Sequence, residues 1–187
     1  MQYEIHVTVK TNDIEKFRFD CNKIGVKPIL IETEKLGEFN NQVMTSSKYS
    51  GDDFKATLGL IEYQLKDLDY DILRRKVEIL PSERKHDDFI YYESHLRLKL
   101  PKDFDREFLV ELCRQEKFHL SKNLFKSCEG YNYQMITYRD YEASYSQFNK
   151  VIDNMKSILE FFQIEFDKVE IEECIFDSNI FIDRNWI

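Results

Sequence analysis

Two short segments of the sequence carry the same alternation of ionisable side chains. Residues 3–10 read Tyr-Glu-Ile-His-Val-Thr-Val-Lys, and residues 92–99 read Tyr-Glu-Ser-His-Leu-Arg-Leu-Lys. A histidine with an ordinary pKa of ~6.5 gives or accepts a proton at neutral pH, and a nearby carboxylate tunes that pKa. We therefore predict that His6 and His95 are the catalytic candidates, suited to general acid–base chemistry.

Other polar residues are predicted to share a cleft with these histidines. Successive side chains of a strand point to opposite faces, so the alternating polar positions lie on one face of a sheet. Charged side chains, hydroxyls and amides on such a face would together recognise a phosphate or a carboxylate. The candidate ligand-binding residues are Glu4, Thr8, Lys10, Glu93, Arg97, Lys99, Gln42, Thr45, Gln134, Thr137, Arg74 and Lys76.

The triplet His6-Val7-Thr8 resembles one half of the paired His-x-Thr signature of 2H phosphoesterases. Those enzymes are duplicated and place two His-x-Thr/Ser strands around a phosphodiester, so the resemblance implies phosphodiester hydrolysis. The second segment departs from the signature, because Arg97 stands where Thr or Ser is expected. An arginine there could bind a phosphate, even bidentately, but a symmetric mechanism would no longer apply.

Glu170 and Glu172 lie on one face of a predicted strand, where two carboxylates could hold Mg²⁺ or Mn²⁺. The pair is similar to one in triphosphate-tunnel metalloenzymes, but their Glu-x-Glu-x-Lys opening strand is replaced here by Glu-x-His-x-Thr-x-Lys. An ion-paired strand face explains the two glutamates more simply, so no metal is predicted. The sequence has no phosphate-binding Gly-rich loop, dinucleotide fingerprint, nucleophile elbow or His-x-x-x-His helix, so no cofactor is predicted either.

The elements that would position these residues occur twice along the chain. Apolar residues recur at helical spacing over 54–68 and again over 148–162, 94 residues later. Each half is predicted to run strand, helix, strand, strand, helix, strand. This order predicts an α+β fold, a tandem duplication of a ferredoxin-like βαββαβ unit with antiparallel sheets and helices on one face. The open polar faces would meet at a pseudo-twofold axis, either as two sheets or as a closed or nearly closed barrel.

The repeat also sets the expected boundaries and pairings. At an offset of 92 residues Gln42 coincides with Gln134 and Thr45 with Thr137. Pro28 cannot donate to a ladder, so its strand is predicted at a sheet edge. The predicted units are a first repeat at 1–80, a connecting segment at 81–90, a second repeat at 91–175 and a docked tail at 176–187.

The composition of the chain restricts the kinds of partner that the protein is expected to bind. The 187 residues include 27 Lys and Arg against 35 Asp and Glu, a net charge of −8, which argues against nucleic-acid binding. The first residues show neither a basic nor an apolar leader pattern, so no signal peptide is expected. No apolar run approaches the ~20 residues of a membrane span, so no membrane contact is expected. The distant cysteines Cys21, Cys113, Cys128 and Cys174 predict a reduced, cytoplasmic protein.

Three functions remain open at this point. The first is binding, and in a stronger form turnover, of a small anionic and phosphorylated molecule in the polar cleft between the repeats. The second is a non-catalytic interaction or structural protein, in which His6 and His95 form hydrogen bonds in a dry interface. The third is a 2H-like phosphodiesterase, which requires both imidazoles to converge on one phosphate. Enzymatic activity and oligomeric state are left open.

Overall fold

The computed structural model describes residues 1–35, 38–82, 86–125 and 130–183. Its strands are β1 (Gln2–Lys10), β2 (Pro28–Lys35), β3 (Glu38–Ser50), β4 (Asp71–Ile79), β5 (Tyr91–Pro101), β6 (His119–Asn123), β7 (Tyr131–Asp140) and β8 (Phe166–Asp177). Its helices are α1 (Ile14–Ile24), α2 (Phe54–Asp67), α3 (Arg106–Glu116) and α4 (Tyr145–Phe161), followed by a C-terminal 3-10 helix (Ile180–Asp183). The order strand, helix, strand, strand, helix, strand therefore occurs twice, as predicted.

All eight strands belong to one antiparallel sheet that closes into a barrel, in the order β1-β3-β2-β6-β7-β5-β8-β4. The order within the first half is β4-β1-β3-β2, and the order within the second half is β8-β5-β7-β6. The halves join where β2 pairs with β6 and where β4 pairs with β8. The mixed α+β class is confirmed, and the polar faces meet in a closed barrel rather than as two sheets. Closure pairs the backbone groups that two separate sheets would leave open at their edges.

Pro28 lies at the start of β2, where it pairs with Thr45 on β3. The part of β2 that pairs with β6 is confined to residues 31–33, so no second ladder needs a donor from Pro28. Its strand is an edge within its own half, as predicted, but it is not an edge of the complete sheet.

The helices cover the outside of the barrel, with one apolar core under each pair of helices. In the first core the fully buried side chains include Ile5, Val7, Phe17, Leu65 and Val77. In the second core they include Leu96, Leu98, Leu109, Ile136 and Phe148. Because the apolar face of each strand points outward to the helices, its polar face points inward, into the lumen.

The ends of α1 follow from residues visible in the sequence. Asp13 caps the helix by accepting a hydrogen bond from the backbone N–H of Lys16 at 2.9 Å. Gly25 ends it in the left-handed conformation, with φ of 75°, which only glycine adopts without a steric cost. Helix α1 is thereby confined between β1 and β2.

Three of the four cysteines lie within the described residues, and all three are buried. Cys21, Cys113 and Cys174 are free and buried, and burial raises the pKa of each of these thiols to about 12. Cys128 lies outside the described residues, as do residues 83–85 of the predicted connecting segment and residues 184–187 of the predicted tail. Within the described ranges, no helix combines the length and the apolar character that crossing a membrane requires.

A pair on the outer surface gives a pH-dependent prediction. Glu62 on α2 accepts a hydrogen bond from Arg75 Nε on β4 at 3.0 Å, and hydrogen bonds from Arg75 and Lys66 lower the pKa of Glu62 to about 2. A carboxyl whose pKa is lower in the folded state stabilises the fold above its unfolded pKa of ~4.3 and loses that contribution as the pH falls. Because Glu62 is partly exposed, we expect Glu62→Gln to lower the free energy of unfolding by only about 1 kcal/mol at pH 7.

Urea unfolding of wild type and Glu62→Gln at several pH values checks this prediction. The difference between the two proteins should be constant above about pH 5 and shrink steadily below it. A difference that is the same at pH 7 and pH 3 would show that the ion pair is not its source.

Candidate functional site

The lumen of the barrel is a cavity of about 190 Å³, and most of the residues that line it are polar or charged. Alternate positions of the strands line it, as the period of a β-strand requires. The sequence-predicted site residues on its wall are Glu4, His6, Thr8, Gln42, Arg74, Lys76, Glu93, His95, Arg97 and Thr137. The structure therefore brings both histidines and most of their predicted neighbours to one cavity.

Four predicted ligand-binding residues lie outside this cavity. Thr45 faces the first core, and its Oγ1 accepts a hydrogen bond from the Val7 backbone N–H at 3.2 Å. Gln134 lines a separate, smaller depression. Lys10 is exposed at the end of β1, and Lys99 pairs with Glu165 at 3.3 Å.

The misplacement of Thr45 and Gln134 comes from a register error of one residue. His6 lies opposite Ser46 on β3, whereas His95 lies opposite Thr137 on β7. Equivalent positions of these two strands are thus 91 residues apart rather than 92. Because side chains alternate between faces, a slip of one residue moves a side chain to the other side of the sheet. Gln42 and Thr137 face the lumen, and Thr45 and Gln134 cannot.

A chain of ionisable groups crosses the middle of the lumen. His6 Nε2 lies 2.9 Å from Glu78 Oε2, and Lys76 Nζ lies 2.8 Å from Glu78 Oε1. The same ammonium lies 2.6 Å from Glu93 Oε2, which is 4.0 Å from His95 Nε2. Both imidazoles therefore flank one pair of carboxylates that Lys76 bridges.

The surroundings fix the charge of the groups next to His95. Burial opposes ionisation of Glu93, but Arg139 and Lys76 hold its pKa well below its usual range. Burial lowers the pKa of His95, so its imidazole is neutral at pH 7. Burial, Glu78 and Glu4 together raise the pKa of Glu172 to about 9, so that carboxyl is protonated at pH 7. One carboxylate, one carboxylic acid and one neutral imidazole thus lie side by side, which is an arrangement that can move a proton.

One end of the lumen is closed by the 3-10 helix. Asp183 accepts hydrogen bonds from Arg139 Nη2 at 2.9 Å and Gln42 Nε2 at 3.2 Å, and it also accepts one from Arg74 Nη1. Arg74 donates further to Asp177, from Nε to Oδ1 at 3.0 Å. The side chains of Arg74 and Asp183 are 5% and 3% exposed, which identifies this end as the inner end of the cavity. We call it the plugged end.

The other end is open and carries cationic side chains, and we call it the mouth. The Lys48 and Lys168 side chains are 54% and 46% exposed, and each ammonium lies near Glu170 Oε1, at 3.7 and 2.7 Å. Arg97 makes a bidentate contact with Asp167 at 2.6 and 2.9 Å. Lys27 also lines the cavity and is exposed. Four cations therefore surround the entrance.

Several lumen residues were missed by sequence reasoning. They are Lys27, Lys48, Glu78, Arg139, Lys168, Asp177 and Asp183. Residues an even number of positions apart on a strand share one face, and this pattern could have identified some of them. Lys48 lies six residues from Gln42, and Arg139 lies two residues from Thr137. Asp183 carried no such signal, since it lies outside the strands.

No protein-family model and no curated protein matches this chain. The solved structures that align with nearly all of it include the following two. The acetolactate synthase small subunit from Thermotoga maritima is 14% identical, with a TM-score of 0.33, and the alignment covers 95% of this chain and 96% of that one. An unknown protein from Galdieria sulphuraria is also 14% identical, with a TM-score of 0.28 and coverage of 92% and 97%. These scores are too low to carry an argument about function.

Proposed function

We propose that the lumen binds a small anionic molecule of the phosphorylated class, which enters through the mouth. The observation that supports this most is the set of four cations around the entrance, Lys27, Lys48, Arg97 and Lys168. The chain as a whole carries a net charge of −8, whereas at the entrance these four cations outnumber their three carboxylate partners, Glu4, Asp167 and Glu170. Local positive potential in a concave site raises the concentration of anions there.

The present partners of these cations can be displaced by a ligand. Lys48 and Lys168 are about half exposed and share Glu170, and Lys48 also lies 3.4 Å from Glu4 Oε2. Ion pairs with that exposure contribute little free energy. A phosphate group offers several acceptor oxygens and a higher charge, so it forms stronger charge-assisted hydrogen bonds with the same ammonium groups.

The cavity also favours this proposal over a non-catalytic interaction protein. That alternative predicts a dry interface between the halves, with both histidines hydrogen-bonded in it. Instead a cavity of about 190 Å³ separates the walls. His95 Nδ1 lies 2.9 Å from Thr137 Oγ1, but neither ring nitrogen of His6 forms a hydrogen bond of ordinary geometry. A ligand that reaches from the mouth to the middle of the lumen would meet both imidazoles.

The proposal includes internal duplication and a cytoplasmic location. Duplication is supported by the equal order of elements and of strands in the two halves, and by the corresponding positions of His6 and His95. A reducing location is supported by the three buried, free thiols of Cys21, Cys113 and Cys174.

Calorimetric titration with inorganic phosphate and with pyrophosphate at low ionic strength tests the binding. The double variant Lys48→Ala/Lys168→Ala is expected to bind about tenfold more weakly, because it removes two charges from the mouth. The matched control is Lys66→Ala/Lys156→Ala, which removes two lysines from the outer helices, where each pairs with a surface carboxylate. Equal affinity of the two double variants would contradict the proposal, as would an absence of heat with the wild type.

The catalytic part of the proposal is tested separately with p-nitrophenyl phosphate and bis-p-nitrophenyl phosphate. We expect His6→Ala and His95→Ala each to lower the rate of nitrophenol release by about 10²-fold or more, since a positioned acid or base contributes that much. Both variants should keep the melting temperature near that of the wild type. If the wild type binds phosphate but releases no nitrophenol from either compound, the lumen binds its ligand without turnover.

A further inference from the structure

Three potential metal ligands converge in the middle of the lumen. Glu78 on β4 and Glu93 and His95 on β5 each present one oxygen or nitrogen, and these atoms lie within 4.8 Å of one another. With metal–ligand bonds of ~2.1 Å, the ligand atoms of a tetrahedral ion lie about 3.4 Å apart. Side-chain shifts of about 1 Å would therefore bring all three atoms onto a single ion.

The hydrogen bonding of Glu78 is incomplete. Its side chain is 0% exposed, and neither carboxylate oxygen accepts a hydrogen bond of ordinary geometry. Lys76 Nζ and His6 Nε2 are close, at 2.8 and 2.9 Å, but they approach from directions that do not satisfy the oxygens. A buried carboxylate in this condition gains strongly from a cation placed on its free lone pairs.

The imidazole of His95 is oriented as a metal ligand would be. Its Nδ1 is 2.9 Å from Thr137 Oγ1, so the ring is held from behind by a hydroxyl. Its Nε2 faces Glu93 Oε2 and Glu172 Oε2 at 4.0 and 3.8 Å, distances too long for hydrogen bonds. Ligating histidines usually form such a second hydrogen bond through the nitrogen that does not bind the metal.

We propose that Glu78, Glu93 and His95 form a binding site for one divalent transition-metal ion. Two carboxylate oxygens and one imidazole nitrogen are a donor set suited to Zn²⁺ or Mn²⁺, whereas Mg²⁺ prefers oxygen ligands alone. The site lies on strands β4 and β5 and does not use the glutamate pair Glu170 and Glu172 that the sequence offered. It is independent of the anion proposed for the mouth, because the metal alone is the ligand.

Lys76 is the natural competitor of the metal. Its ammonium lies between the two carboxylates of the site, 2.8 Å from Glu78 and 2.6 Å from Glu93. A bound ion must share these carboxylates with the lysine or displace it. Removing the ammonium should therefore strengthen metal binding, while removing a ligand should weaken it, and these opposite effects identify the site.

Calorimetric titration of chelator-treated protein with Zn²⁺ and Mn²⁺, in a buffer without phosphate, tests the proposal. We expect one ion per chain, with Mg²⁺ bound at least about tenfold more weakly. Glu78→Gln and His95→Gln should each weaken Zn²⁺ binding by about 100-fold, and Lys76→Met should strengthen it by about tenfold or more. The matched controls are Glu165→Gln and His86→Gln, which change the same residue types outside the lumen and should leave the affinity unchanged.

Thr137→Val keeps all three ligands and removes only the hydroxyl behind His95. We expect it to fold, as judged by circular dichroism, and to bind Zn²⁺ about tenfold more weakly. This variant decides the question if Glu78→Gln does not fold. An absence of Zn²⁺ and Mn²⁺ binding by the wild type would overturn the site, and so would an unchanged affinity in both His95→Gln and Thr137→Val.

Discussion

Replacing Arg74 by methionine is expected to lower the free energy of unfolding by about 3–5 kcal/mol, because it leaves two buried carboxylates without their main counter-charge. Arg74 donates to both Asp177 and Asp183, and its Nη2 lies 3.1 Å from the hydroxyl of Tyr91. All of these side chains lie at the plugged end, away from bulk water. Urea unfolding followed by circular dichroism measures the loss.

The neighbouring arginine provides the matched control for this prediction. Arg75 is on the same strand and is also paired with a carboxylate, but it points outward to Glu62, where both side chains are partly exposed. Arg75→Met should cost only about 1 kcal/mol, since exposed ion pairs contribute little. If the free energy of unfolding falls equally in Arg74→Met and Arg75→Met, the buried ion pairs of Arg74 do not stabilise the plugged end more than an exposed pair would.

The sequence predicted the elements well because each has a local signal. The period of apolar residues identified the helices over 54–68 and 148–162. Alternation along β1 and β5 identified which side chains face inward. These patterns depend only on residues that are close together in the sequence, so they can be recognised without any long-range contact.

The relative placement of the two halves had no local signal. Pairing of β2 with β6 and of β4 with β8 joins residues far apart in the chain, and no turn fixes their register. The assignment of Thr45 to the cleft failed for a related reason, because coincidences of residue type at an offset of 92 outweighed the parity of its strand. A register error of one residue does not alter the composition of the strand, but it moves each side chain to the opposite face of the sheet.

Some residues of the candidate site were predictable from local patterns, and others are brought to it only by the fold. His6 and His95 were found because each lies in a repeated, alternating segment. Glu78 was not predicted, although it lies two residues from Lys76 and so shares its face of the strand. Only the barrel brings it between the two histidines, 2.9 Å from His6. Asp183 reaches Arg139 and Gln42 from the C-terminal 3-10 helix, which follows no repeat.

The carboxylate of Asp183 is expected to be replaceable by a soluble anion. In the wild type it accepts hydrogen bonds from Arg74, Arg139 and Gln42, so it occupies the position that a bound anion would take at the plugged end. Asp183→Ala removes that charge and leaves two buried guanidinium groups short of a partner. We expect this variant to lose about 3 kcal/mol of stability, at the low end of the cost of breaking a buried ion pair.

Acetate or phosphate should then restore part of the lost stability, because an anion that binds only the folded state stabilises it by mass action. The gain is about 2.7 kcal/mol when the anion is present at 100 times its Kd. Arg74→Met should show no such rescue, since it keeps Asp183 in the position of the anion and has only one of the two guanidinium groups. Thermal unfolding at constant ionic strength, with chloride in place of acetate or phosphate, separates specific binding from general screening. Equal melting temperatures of Asp183→Ala in all three salts would mean that the two arginines at the plugged end do not accept an anion from solution, and the ligand would then be confined to the mouth and the middle of the lumen.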